Sequence, residues 1–580
     1  MGSNYRGTAF ATYALCERLG IDPLYIWSGY KPEKHENLTM KAVDISVNEP
    51  TFKYRGMYHD DKDLIPRPID SIGYIAEDPI VAAINKESHI QKLEPGYPEQ
   101  CGEVGMEWWE RFFETALRLR MNQVAPYVRE PRSFEVNKMA SDWGLFFSSH
   151  HYDMLLSNPW GYERFGLAKE RGVEGPYNWN TNKEGMIKFW EAGVIENKSL
   201  ECIWPVGLRG TDDVGMLFPE GTPINEKGKI LSDIIETQVA LTKEHLPKNA
   251  DPIFHFTLYH EVQEYYEANQ MQIPEDVILV WSDDGDGKMR ALPKNIKNNK
   301  HGVYYHLAFH GVSEKQTVHT VKPSLIEEQF RKIVKSGATE YMMLNISEQR
   351  EFVMGTRFIA DICWDAKTAF EKPDAANRFV NWWSNEYFGK DAAADAVKTY
   401  NNYYDILHSY DQIFQGALAL DYALYWQKFR MYGDLFVRNH YNKDWLNTMT
   451  KRVAKYDNVF KIANRAMENM DEQEAQFFFE NAMYGMLIDY RGSQAALAMN
   501  KALYSCWNCR PEEREYAREA MRYLLKLQEE TKRMERPPFE NWYMDTFMRG
   551  RYCLTSVNYT YLRLKEWMNQ LGIDYTQTEN

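Results

Sequence analysis

The sequence has no run approaching about 18 consecutive apolar residues, and its first residues, Met1-Gly2-Ser3-Asn4-Tyr5-Arg6, lack the apolar core an export signal needs. No membrane partner is expected. The compartment stays open: cytoplasmic as written, secreted or periplasmic where a signal has been removed. Cysteine is scarce, seven in 580 residues, and an odd number so thinly spread argues against a disulfide framework. Cys506-Trp507-Asn508-Cys509 has redox spacing, but it sits in helix-rich sequence without a βαβ context and reads as packing. Positive charge is also short. Lys+Arg 68 against Asp+Glu 83 leaves a net charge of −15, the wrong sign for a chain that grips phosphate backbones, so nucleic acid is not an expected partner. The GxxxxGKS/T loop, the GxGxxG fingerprint and the GxSxG elbow are all missing, which weakens phosphoryl transfer, hydride transfer and serine hydrolysis together.

What is present is enough apolar material for large cores. Hydrophobic residues make up 44% and charged residues 26%, an ordinary globular balance. At about 150 residues per domain the length allows roughly three to four domains, or fewer if one is a barrel. Aromatic content is 14%, with 17 Trp and 38 Tyr; such rings suit sugars, although large buried rings are the commoner use.

Three textures follow one another. Residues 1–95 mix short strand-like runs with Pro-bearing turns, and Arg6-Gly7-Thr8 already enters a helical pattern; they read as a partial N-terminal α/β domain. From 96 to 370 apolar runs of strand length alternate with amphipathic helical stretches such as Ile224–His245 and Ser324–Ser336. Eight strands are expected: Asn122–Pro126, Gly144–Ser148, Leu200–Val206, Pro252–Tyr259, Val277–Trp281, Gly302–Leu307, Glu340–Leu344 and Phe358–Cys363. Runs as continuous as Val277-Ile278-Leu279-Val280-Trp281 belong to strands covered on both faces. Eight strands with eight crossovers make a (β/α)8 TIM-like barrel. Past Lys372-Pro373 the strand signal ends. Residues 371–580 read as a C-terminal helical bundle, with helices expected at Gln473–Leu487, Pro511–Glu535 and Asn541–Asn569.

A barrel of this kind works at the carboxyl ends of its strands. The residues that follow the expected strands are Ser148-Ser149-His150-His151, Arg209-Gly210-Thr211-Asp212-Asp213, His260-Glu261, Trp281-Ser282-Asp283-Asp284-Gly285, Tyr305-His306, Asn345 and Trp364-Asp365. Each has a blander alternative. His150 and His151 could be strand-end histidines bound to backbone carbonyls, and Asp283-Asp284-Gly285-Asp286-Gly287 could be a loop and helix cap. The latter lacks the closing Glu of a calcium loop, and His260-Glu261-Val262-Gln263-Glu264 lacks the second His of a zinc protease, so no metal is expected. What converges is a carboxylate-rich mouth that requires no cofactor. Paired carboxylates around an acetal carbon are the equipment of glycoside hydrolysis. An aromatic setting near Trp281 or Tyr259 could raise the acid's pKa by desolvation. Arg209 invites a carboxylate on the substrate, as a sugar acid would bring.

Taken in order, Arg6-Gly7-Thr8, the run Leu19 to Trp27, the run Tyr54 to Leu64, Ser149-His150-His151, Gly207-Leu208-Arg209-Gly210, Trp281-Ser282-Asp283-Asp284, Tyr304-Tyr305-His306 and Leu344-Asn345-Ile346 resemble glycoside hydrolase family 115. The set and its spacing are specific; no single motif is. The resemblance implies a xylan α-1,2-glucuronidase that removes glucuronic acid or its 4-O-methyl ether by inversion. It also implies a polysaccharide or oligosaccharide partner and, commonly, a homodimer. It suggests Glu261 as general acid and one of Asp212, Asp213 and Asp60 as base, or the reverse, with Asn345 and His306 holding sugar hydroxyls. Substrate-binding positions would include His59, Asp61, His150, His151, Arg209, Trp281, Asp283, Asp284 and Tyr305. The chain departs from the family at four rim positions, His59-Asp60-Asp61, Tyr152-Asp153, Thr211 and Gly285. The first part of the family's N-terminal domain and its C-terminal β-sandwich have no counterpart here, so the expectation is a divergent relative shortened at both ends. A glycosidase for another sugar and a non-catalytic carbohydrate-binding relative are the alternatives.

Overall fold

The computed structural model describes residues 2–59, 106–126, 133–149, 151–409, 443–507, 512–539 and 561–574, apart from gaps at 43, 165, 212–213, 269–270, 297, 310–318, 347–348, 538 and within 562–571. They fall into two compact units, one built from residues before 63, 103–307 and 323–376, the other containing the residues from 377 on.

The first unit is a barrel of eight parallel strands: β1 (Tyr54–Tyr58), β2 (Gln123–Ala125), β3 (Phe146–Phe147), β4 (Ile203–Pro205), β5 (Ile253–Leu258), β6 (Val277–Ser282), β7 (His301–His306) and β8 (Tyr341–Asn345). Each strand pairs with its sequence neighbour, and β1 pairs with β8 from Tyr54 opposite Tyr341 to Tyr58 opposite Asn345. A parallel bridge between Phe147 and Cys202 joins the two remaining ends and closes the ring.

Two expectations are corrected. Phe358–Cys363 is not a strand but part of the helix Val353–Trp364, ten of whose twelve residues are buried. Its polar side is reduced to Arg357 and Asp361, held in ion pairs with Glu17 and Arg120, so a short apolar stretch of it mimics a covered strand. The eighth strand is instead β1, inside the span expected as a separate N-terminal unit. Its Arg55 and Gly56 interrupt the apolar run by which a covered strand is recognised. Arg55 is buried between the rings of Phe10 and Trp364, with its guanidinium on the carbonyls of Phe52 and Lys53; burial lowers its pKa to about 9.

Helices cover the outside of the ring. Met106–Arg118 and Ser133–Asp142 precede β2 and β3, Lys183–Asn197 and Ile224–His245 precede β4 and β5, and Pro323–Ser336 precedes β8. The crossover from β6 to β7 has no helix among the described residues; it is an irregular loop pinned by an antiparallel bridge between Asp283 and Met289. Inside the ring Tyr54, Tyr58, Ile203, Ile278, Val280, Tyr304, Tyr341 and Met343 form one buried cluster. His255 stacks on Tyr341 at 5.0 Å and shares a 3.1 Å hydrogen bond with Ser148. So many rings leave little room, and Gly56 and Gly302 answer that crowding: a Cβ on Gly302 would stand 2.3 Å from the Tyr341 carbonyl oxygen.

In the second unit the described residues from 377 on are mainly helical. It contains most of Ala375–Ser409, broken at Gly389 with φ 71, then Lys443–Met467, Glu472–Phe478, Tyr484–Trp507 and Glu513–Met534. Inside it a fully buried Arg452–Asp489 pair is joined by the Tyr456 hydroxyl, which donates to Asp489. The expected helix Asn541–Asn569 lies largely outside the described residues, as do Asn508 and Cys509.

Candidate active site at the carboxyl ends of the strands

Chain direction and the period-two alternation of strands decide which side chains meet at the mouth. In β5 the inward series His255 and Thr257 runs on to Tyr259, which lies in the interior cluster. The backbone then turns sharply at His260, with φ 48 and ψ −122, and starts the helix Glu261–Glu267. A side chain in that region of φ is strained by roughly 1–3 kcal/mol. The turn sets Tyr259, His260 and Glu261 in succession at the rim.

Tyr259 is the hub. Its ring centroid is 4.2 Å from His151, 4.3 Å from His260 and 6.4 Å from both Tyr304 and His306. The guanidinium carbons of Arg209 and Arg290 stand 5.3 Å and 5.9 Å from the same centroid. Arg209 donates from Nη1 to Glu261 Oε1 at 2.8 Å. That ion pair joins the loop after β4 to the helix after β5, with Arg209 buried and Glu261 29% exposed. The backbone of Gly215 lies so close that a Cβ there would sit 3.3 Å from Glu261 Oε1.

Across the mouth, His306 Nδ1 shares a short hydrogen bond with Asp283 Oδ1. Asp283 Oδ2 accepts from the backbone amides of Gly287 at 3.1 Å and His306 at 3.3 Å. Gly285 and Gly287, with φ 85 and 81, allow the loop to curl back far enough for that contact. Asp283 is fully buried. It is a positioning group behind His306, fixing which ring nitrogen carries the proton. Asn345, at the end of β8, donates to the Tyr304 hydroxyl at 2.9 Å. His151 is buried, and burial first, then the charges of Arg209 and the neighbouring histidines, pushes its pKa well below the ordinary value. It is therefore a neutral imidazole at neutral pH.

The structure thus brings His151, Arg209, Glu261, His306 and Asn345 to one place, with Asp283 supporting them. It takes several expected residues elsewhere. Trp281 and Tyr305 face outward, since Ile278 and Val280 of β6 and Tyr304 of β7 occupy the interior parity. The Trp281 indole donates to His301 Nδ1 at 3.1 Å and packs on Tyr266; Tyr305 packs on Phe330 and donates to the Gly287 carbonyl. Asp284 accepts the amides of Asp286 and Lys288 through Oδ1 and is the loop cap of the blander reading. His59 is buried against Trp108, Trp109 and Phe112 of the helix Met106–Arg118. Asp60, Asp61, His150, Asp212 and Asp213 lie outside the described residues. Tyr304 and Arg290 were not expected. Tyr304 follows from parity once His306 is set inward; Arg290 stands eight residues past the end of its strand, beyond the reach of a strand-end rule.

The model of glycosyl hydrolase family 115 matches residues 47–412. The chain belongs to glycosyl hydrolase family 115. It is a glycosidase with that family's barrel. Its fold is similar to that of a solved family 115 enzyme, a 4-O-methyl-alpha-glucuronidase with specificity for decorated arabinogalactans, at a TM-score of 0.73 and 21% identity over 96% of this chain and 68% of that one. More distant folds are a family 138 enzyme targeting pectin rhamnogalacturonan II, with TM-score 0.51, 9% identity and coverage of 91% and 70%, and a family 89 glycoside hydrolase from Clostridium perfringens, with TM-score 0.51, 10% identity and coverage of 96% and 68%. No curated protein matches by sequence. Among the described residues no helix is long and apolar enough to cross a membrane.

Proposed function

We propose that this family 115 chain hydrolyses the α-linkage of glucuronic acid or 4-O-methylglucuronic acid side chains on xylan or a related plant glycan, by an inverting route. The observation that carries the reading is Glu261, set at the mouth by the His260 turn, paired with Arg209 and close to the backbone of Gly215. Inversion needs one carboxylic acid to protonate the departing oxygen and one carboxylate to take a proton from the attacking water. We assign Glu261, which accepts the Arg209 hydrogen bond, as the base, and one of Asp212, Asp213 and Asp60 as the acid. Water attacks the anomeric carbon as Glu261 takes its proton, the glycosidic bond breaks toward the protonated oxygen, and the β-anomer of the uronic acid leaves. His306, oriented by Asp283, and Asn345, oriented against Tyr304, hold sugar hydroxyls.

The test is Glu261→Ala assayed on decorated xylan and on an aryl α-glucuronide with a good leaving group. Loss on both substrates, azide rescue as the inverted glycosyl azide, and the β-anomer as first product of the unsubstituted enzyme are expected. Retained turnover of the aryl substrate would give Glu261 the acid role, and a first-formed α-anomer would rule out inversion.

A further inference from the structure

The two arginines that flank Tyr259 are not equivalent. Arg209 is neutralised by Glu261 at 2.8 Å. Arg290, exposed on the loop after β6, donates from Nε to the Asp283 carbonyl oxygen at 3.0 Å and from Nη1 to His260 Nδ1 at 3.2 Å. Both acceptors are uncharged, since a ring nitrogen that accepts a hydrogen bond carries no proton. Those bonds fix the guanidinium without cancelling its charge, and among the described residues no carboxylate lies within ion-pair distance of it. Acidic residues outnumber basic ones in this chain by 83 to 68, so an oriented cation at the rim with no ion-pair partner among the described residues is a departure from the surrounding balance. It is held on the carbonyl of Asp283, the residue that orients His306, and on the strained His260 that precedes Glu261. Its geometry is thereby tied to the reacting groups on both sides.

We propose that Arg290, steadied by His260, receives the carboxylate of the uronic acid, and that Arg209, the arginine the sequence suggests for that task, is instead the fixed partner of Glu261. The assignment rests on the uronidase reading above and adds its specificity determinant. A guanidinium fork matches a carboxylate bidentately, whereas a lysine offers a point charge.

The experiment compares kcat/KM on an aryl α-glucuronide and on its neutral methyl ester for the unsubstituted enzyme, Arg290→Gln, Arg290→Lys and Arg209→Gln, with calorimetric binding of free glucuronate to each. A hydrogen bond to a charged group is worth about 1.5–3 kcal/mol, so Arg290→Gln should reduce the preference for acid over ester by roughly tenfold to hundredfold, and Arg290→Lys by less. Glucuronate binding should weaken in parallel, a readout that holds where turnover is lost. Arg209→Gln should slow both substrates alike and keep the preference. An unchanged preference in a folded Arg290→Gln, or its collapse in Arg209→Gln, overturns the assignment while leaving the uronidase reading intact. An unsubstituted enzyme that turns over neither substrate and does not bind glucuronate overturns both.

Discussion

Asp283→Asn is the most informative change to the scaffold of the mouth, because the buried carboxylate has a partner at every position it can use. Oδ1 meets the His306 ring, while Oδ2 takes the amides of Gly287 at 3.1 Å and His306 at 3.3 Å. An asparagine offers one acceptor oxygen and one NH2 group. With the oxygen on the two backbone amides, the NH2 faces the His306 ring and is satisfied only when that ring takes the tautomer whose Nδ1 accepts. With the oxygen kept on the His306 ring, two backbone donors lose their acceptor at a fully buried position. An unsatisfied buried donor costs about 1–3 kcal/mol, the 3.3 Å contact falling at the weak end. Removing a buried charge returns part of that loss. An amide oxygen turned toward the backbone escapes that loss at the expense of the less favoured tautomer, so the net expectation is about 1–2 kcal/mol of destabilisation. The same change frees His306 to adopt the other tautomer, removing one oriented contact to substrate, so kcat should fall roughly tenfold to hundredfold with KM moving less. Urea denaturation gives the first quantity and steady-state kinetics the second. A midpoint displaced by less than about 0.5 kcal/mol, together with unchanged kcat, would refute the view of Asp283 as the group that orients His306.

Two further changes test the barrel itself. Asp153 is buried, accepts from Ser149, and is raised by that burial to about 7. Its folded pKa exceeds the unfolded value of about 3.9, so its contribution is complete below pH 4 and is lost as pH rises through 7; Asp153→Asn should exceed the unsubstituted protein in stability at pH 8 and lose that advantage by pH 4, and a difference flat across urea midpoints at those pH values would contradict this. Gly302→Ala should destabilise by about 1–3 kcal/mol in the same denaturation assay, because the new Cβ meets the Tyr341 carbonyl oxygen at 2.3 Å and backbone cannot yield as a flexible side chain can; a neutral result would show that the ring interior is looser than its aromatic packing implies.

The closed parallel ring was legible because most of its strands are covered on both faces and so appear as unbroken apolar runs; β6, Val277 to Trp281 with Ser282 at its end, is the clearest. The failures have the same origin. The largely buried helix Val353–Trp364 carries little more polar pattern than a covered strand, and β1 is interrupted by an arginine whose charge is absorbed by two rings and two carbonyls. At the mouth, chain order alone says which residues follow each strand, which is why Glu261, His151, His306 and Asn345 could be named. It does not say which of two adjacent residues faces in. Trp281 and Tyr305, expected at substrate-binding positions on those grounds, face outward. Arg290 had no strand-end position to announce it.

Parity nevertheless has a physical signature in this sequence, and it is glycine. Backbone freedom is not what β1 and β7 require at mid-strand. What they require is space, since the interior of a ring filled by Tyr54, Tyr58, Tyr304 and Tyr341 cannot take a side chain at every inward position. The outward face, packed against helices, imposes no such exclusion on Val303 or Met57, which are fully buried there with full side chains. Mid-strand Gly56 therefore marks Tyr54 and Tyr58 as inward, and Gly302 marks Tyr304 and His306 as inward and Tyr305 as outward. The same inference places Asn345 inward, because β8 pairs with β7 in register, with His306 opposite Asn345 and Gly302 opposite Tyr341. Crowding in the barrel interior thus fixes which strand-end side chains reach the mouth, and it does so from small residues four positions before the strand end at His306.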